Sequence, residues 1–179
     1  MDTLEKSSGS SWTKSISALL WAALIIGAVL PACQGTSPNI PQQSMMGETL
    51  QKSSLKPLDR SGQSSGSFQD GYVKVSYRCA PGDEGLKTTG SIWFGDAIVM
   101  NYLFVDLFHM DVLLTDSQGR VVSQQSLATA LNLNVTESIE FMTTVLLPPQ
   151  AVYMAFAYTG RVHGLGESPM SIWYYPVAR

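Results

Sequence analysis

The chain has 179 residues, 11 Lys and Arg against 14 Asp and Glu, two cysteines and two histidines. That length gives one domain with additional segments. With a formal charge of −3 and no basic cluster, it lacks the electrostatic footprint of a nucleic-acid binder, so none is expected as a partner. Cys33 and Cys79 alone are too few for a disulfide framework or a thiolate-rich zinc site.

Ala18 to Leu30 is an uncharged apolar run interrupted only by Gly27, with Lys6 and Lys14 ahead of it. Its length fits the apolar region of a secretory signal, about 7–15 residues, better than a membrane span of roughly 20. Pro31 breaks any helix and leaves an extended backbone for a peptidase to hold, and Ala32 is small, as a cleavage site requires.

Leu30-Pro31-Ala32-Cys33 resembles the lipobox of bacterial lipoproteins. The resemblance covers the first 33 residues and says nothing of the remainder. It implies a leader over residues 1–32, a diacylglyceryl group on the Cys33 thiol, and often an acylated new amino terminus. Two or three acyl chains give lasting attachment, since each buried methylene contributes roughly 0.8 kcal/mol. Gln34, where the class usually carries Asp for inner-membrane retention, implies the periplasmic side of the outer membrane in a Gram-negative host. Otherwise the address is the outer face of the cytoplasmic membrane. Two other readings stand beside this one: an ordinary signal peptide cut after Ala32, and an uncleaved anchor from Ile16 to Ala32.

Residues 33–67 read as a lipidated, disordered tether. Ser, Gln, Gly and Pro make up 20 of the 34 residues from Gln34 to Ser67, and Ile40, Met45, Met46, Leu50, Leu55 and Leu58 follow no sustained period. Such a composition buries too little surface to offset the entropy of ordering. A coil of that length spans roughly 30 Å and would hold the domain clear of lipid.

Residues 68–179 are expected to form an all-β domain, an antiparallel β-sandwich of seven to eight strands, immunoglobulin-like or jelly-roll-like. Tyr72 to Cys79 alternates strictly, with Val73, Val75, Tyr77 and Cys79 on one face. Pro81 to Gly85 is a turn, and Ser91–Phe94 and Ala97–Met100 read as short strands. Leu103 to Thr115 is apolar on both faces, as in a central strand covered on two sides. Asp116 to Arg120 closes a hairpin. Leu127 to Leu133 is rich in helix formers and reads as one or two helical turns. Glu137–Leu147, Gln150–Tyr158 and Met170–Tyr175 complete the strands, with Gly160–Pro169 as a loop.

Several constellations could carry chemistry. Cys79, His109, His163, Asp106 and Asp111 are the ingredients of a thiol-nucleophile site. Cys79, however, shares a face with Val73, Val75 and Tyr77, which predicts a packed core thiol with a raised pKa. His109 and Asp111 could share a metal only if His163 joined them. Trp173 and Tyr175 face one way on their strand and could form a stacking platform for a sugar ring or a partner. Arg161 and His163 make Gly160–Glu167 a candidate binding loop. No cofactor, metal site or catalytic residue is implied. The expected function is non-enzymatic binding or assembly in the cell envelope through contact with another envelope protein, with glycan or small-ligand binding as the alternative.

Overall fold

The computed structural model describes residues 43–166 and 168–178. The leader over residues 1–32, the lipobox with Cys33, and residues 34–42 of the expected tether lie outside the described residues. So does Glu167.

Two antiparallel sheets face each other, and the protein is an all-β sandwich. In chain order the strands are β1 (Lys56–Pro57), β2 (Ser64–Gln69), β3 (Val73–Pro81), β4 (Leu86–Phe94), β5 (Phe104–Thr115), β6 (Val121–Asn134), β7 (Ile139–Val145), β8 (Tyr153–His163) and β9 (Met170–Tyr174). One sheet has the order β2-β3-β4-β7; the other runs β1-β8-β5-β6, with β9 also paired to β8.

The period of two in the sequence builds the core. β3 alternates buried and exposed residue by residue, sending Val73, Val75, Tyr77 and Cys79 inward. Facing them are Phe108, Met110, Val112 and Leu114 of β5 and Met154, Phe156 and Tyr158 of β8. Aromatic rings join the layers, with Tyr77 against Phe156 at 5.2 Å and Phe94 edge-on to Phe108 at 5.3 Å. Gly90 is required in β4, because a Cβ there would strike the Ser76 carbonyl and the Phe141 ring. The β5–β6 turn forms as its residues dictate: Asp116 Oδ1 accepts from the backbone of Gln118 at 2.9 Å and of Arg120 at 3.0 Å, and Gly119 takes φ +80°.

Four expectations need correction. From Gln43 onward the supposed tether is part of the fold. Met45 and Leu50 are 0% and 2% exposed and pack with Leu113, Val121, Ala155 and Ala157, while β1 and β2 extend both sheets. The cause is local: Ala155 and Ala157 leave a depression on the outside of the five-stranded sheet, and isolated apolar side chains fill it without any period of their own. Leu127–Leu133 is strand, not helix, because pairing with β5 overrides its helix propensity. Ala97–Val99 lies in a helical turn, α1 (Asp96–Val99), where the chain passes between sheets. Gly160–His163 belongs to β8, so the loop begins at Gly164.

Candidate functional site

β5 is the centre of the site because both of its faces are covered, as its sequence predicts. Its inner residues enter the main core, while Leu113 lies under Met45 and Leu50 on the outer face. That covering segment stops short of the whole face. The remaining outer surface holds both histidines and both aromatics singled out from sequence.

A β-bulge positions the first cluster. The pairing of β5 with β8 shifts register between Val105 and Leu107, with Asp106 as the additional residue, and a bulge re-aims its side chain. Asp106 thereby meets two neighbours on β8. Arg161 Nε donates to its Oδ2 at 2.9 Å, and His163 Nδ1 lies 2.6 Å from its Oδ1. Phe104 stacks on the His163 ring at 5.2 Å, which fixes the imidazole from the other side. The structure thus brings Arg161 and His163 together, as strand neighbours rather than loop residues.

The second cluster lies beside it. His109 Nε2 is 2.8 Å from Asp111 Oδ1, and its Nδ1 is 2.9 Å from Thr129 Oγ1 on β6. Gln124 Nε2 donates to Asp111 Oδ2 at 2.7 Å and to the Gln43 carbonyl at 3.2 Å, while its Oε1 accepts from the Met45 backbone N–H at 2.8 Å. Asp111 is only 4% exposed, so these bonds offset the cost of burying its carboxylate. This cluster fastens the incoming chain to the sheet. Neither Gln43 nor Gln124 stands out in the sequence, since a side-chain amide that bridges backbone groups carries no motif.

Trp173 and Tyr175 also face outward together. Their rings stack at 6.0 Å and 24°, and Trp173 is 62% exposed. Tyr175 reaches Thr159 and the Gln43 backbone; burial above all pushes its hydroxyl pKa up, and the Asp111 charge adds to this. β9 pairs with β8 so that Thr159 opposes Trp173 and Arg161 opposes Ser171. The aromatic stack and the Asp106 cluster are therefore successive rows of one surface.

Cys79 stands apart. It points into the core from β3, on the opposite sheet, with its sulfur 3.6 Å from Thr88 Oγ1, and burial pushes its thiol pKa up. The core separates it from the outward-facing His109 and His163, so the ingredients of a thiol nucleophile are not brought together. His163 pairs with Asp106 and does not join His109 and Asp111. Among the described residues no group of three or more His, Cys, Asp or Glu is placed to hold a metal ion.

A second surface borders β2, a terminal strand that pairs with β3 alone among the described residues. Its six residues, Ser-Ser-Gly-Ser-Phe-Gln, include no charge and no proline. A cleft of about 380 Å³ opens beside it, between Lys56–Asp59 and Ser64–Ser67, with Tyr77, Cys79, Leu86 and Met154 at its base. By contrast, the β6 edge is occupied at Gln125, whose side chain bonds both the N–H and the carbonyl of Leu146 at 2.8 Å.

No family model matches the chain, and no curated protein or solved structure matches it either.

Proposed function

We propose that the protein is a lipid-anchored component of the cell envelope that acts without catalysis, by binding or helping to assemble another envelope protein. The anchor is the lipobox Cys33. The address is the periplasmic side of the outer membrane in a Gram-negative host, or otherwise the outer face of the cytoplasmic membrane.

The observation that carries the contact role is the β2 edge. Natural sheet edges are blunted by charge, proline or a covering segment, and this six-residue strand contains neither charge nor proline. An extended segment of a partner can add to such an edge through main-chain hydrogen bonds, with the adjoining cleft receiving its side chains. The test is a photo-crosslinking residue at the outward-facing Ser65 or Ser67 in intact cells. One discrete envelope protein captured from both positions is expected. Capture from neither, alongside capture from exposed control sites elsewhere, rejects the edge as the contact.

A second reading has its own observation. Trp173 exposes most of its ring and is braced by Tyr175, with Arg161 one row away, an arrangement suited to stacking on a sugar ring. Retention on peptidoglycan that disappears in Trp173→Ala supports it; retention unchanged by that substitution removes it.

A further inference from the structure

We propose that the outer face of the five-stranded sheet, centred on Trp173, rests against the lipid surface, so that the domain is held at the membrane in one orientation. This rests on the lipid-anchor reading and adds to it which face meets the bilayer.

The argument begins where the described chain begins. The Gln43 carbonyl accepts from Gln124, and Gln43 lies against His109, Asp111, Thr159 and Tyr175 on the middle strands of this sheet. Tyr175 in turn stacks on Trp173. The polypeptide therefore enters the domain beside the exposed indole. Between Cys33 and Gln43 stand only nine residues. At full extension that stretch reaches roughly 35 Å, and as a coil about 17 Å.

Length decides between the two faces. To present the four-stranded sheet to lipid, the spacer must pass from the middle of the outer face to an edge, about 7 Å, since strands lie about 4.8 Å apart. It must then cross the thickness of the sandwich, roughly 20 Å with side chains, since the sheets alone are about 10 Å apart. That path of about 27 Å exceeds the span of the coil and takes about three quarters of a fully drawn-out spacer. The face at which the chain enters needs no such extension, and a short spacer keeps it at high effective concentration near the surface.

The composition of the face agrees. Outside the area covered by Met45 and Leu50 it exposes Trp173, Phe104 and Leu131, with Arg161 and His163 among them. Indole rings favour the membrane–water interface, where one part is apolar and the other wet, and a guanidinium can reach headgroup phosphate. The opposite face carries Lys74, Arg78, Lys87 and Glu140 among Ser and Thr, with Met142 at 74% and Trp93 at 39% exposure as its apolar residues.

Trp93 and Trp173 make the test direct. Trp12 and Trp21 precede Cys33 and leave with the leader, so the processed chain keeps one tryptophan on each outer face. Processed, lipidated protein carrying either Trp93→Phe or Trp173→Phe is reconstituted into vesicles of phosphatidylethanolamine and phosphatidylglycerol. Tryptophan emission is compared with and without dibrominated acyl chains, after circular dichroism confirms the fold of each variant. Quenching several-fold stronger for the variant that retains Trp173 is expected. Equal quenching of the two, or stronger quenching of Trp93, overturns the orientation while leaving the anchor intact. Protein that does not enter the vesicles at all overturns the anchor reading and this inference with it. The vesicles contain no other protein, so shielding by a partner cannot imitate the result.

Discussion

Removing one oxygen atom tests how the two sheets are tied together. Tyr158 of β8 is almost wholly buried, with its ring between Phe108 at 5.7 Å and Tyr174 at 6.0 Å. Its hydroxyl crosses the sandwich and donates to Asp70 Oδ2 in the β2–β3 turn. Asp70 Oδ1 meanwhile accepts from the backbone of Tyr72 and of Val73, each at 2.8 Å, so one carboxylate shapes the turn and fastens it to the opposite sheet. Tyr158→Phe keeps the ring and deletes the tie. A hydrogen bond to a charged group contributes about 1.5–3 kcal/mol, and the carboxylate left behind is only half-buried, so water partly replaces the lost donor. The expected loss is about 2 kcal/mol. For a domain of this size that lowers the melting temperature by roughly 6–10 °C. Urea denaturation of wild type, Tyr158→Phe, Asp70→Ala and the double variant gives the coupling, expected at about 1–2 kcal/mol. The reasoning is refuted if Tyr158→Phe melts within a degree of wild type and Asp70→Ala costs the same in both backgrounds.

Four tyrosines, Tyr77, Tyr158, Tyr174 and Tyr175, have hydroxyl pKa values raised, burial being the first cause in each. The native state therefore keeps protons that the unfolded chain releases above about pH 10. Stability contributed by these groups is fully present below that pH and falls as pH rises through it; denaturation from pH 8 to 11 should show this, with a shallower fall in Tyr158→Phe. Leu50→Ala should cost about 2–4 kcal/mol by leaving a cavity against Leu113 and Val121, whereas a disordered tether would make it silent in a thermal melt. Cys79 should resist a thiol reagent in the native state and react at the rate of unfolding; immediate reaction would contradict its burial. Asp106→Asn should leave the fold intact yet release Arg161 and His163, read as greater hydrogen exchange at the β5 bulge and displaced His163 ring resonances by NMR at one fixed pH.

The parts of the fold legible in the sequence were those governed by a period of two or by a turn residue. β3 is written as an unbroken alternation, β5 as a strand apolar on both sides, and the β5–β6 turn as Asp followed by Gly. What escaped depends on partners distant in the chain. Leu127–Leu133 contains good helix formers, and only the presence of β5 beside it makes it a strand. Met45 and Leu50 look like stray apolar residues until Ala155 and Ala157 are seen to leave room for them. The site divides in the same way. Trp173 with Tyr175 follows from alternation, but Asp106 meeting Arg161 and His163 does not, because a bulge shifts the count by one and no residue in Val-Asp-Leu announces it.

The misread tether alters more than a domain boundary. A spacer of 34 residues would let the domain turn freely, and every face could meet lipid or a partner in turn. The described fold already includes Gln43, and on the proposed lipobox reading only nine residues separate it from Cys33. The same polar cluster that secures the entry, Gln43 to Gln124 to Asp111 to His109, is separated from the aromatic stack by β8 alone. With Cys33 as the proposed anchor, a spacer of nine residues would commit the outer face of the five-stranded sheet to the bilayer. The β2 edge belongs to the other sheet, and in that orientation it would stay open to a partner. The proposed anchor and contact surfaces would then be different faces of one sandwich, and the proposed role requires that separation: a surface occupied by lipid cannot also be the surface that meets the partner.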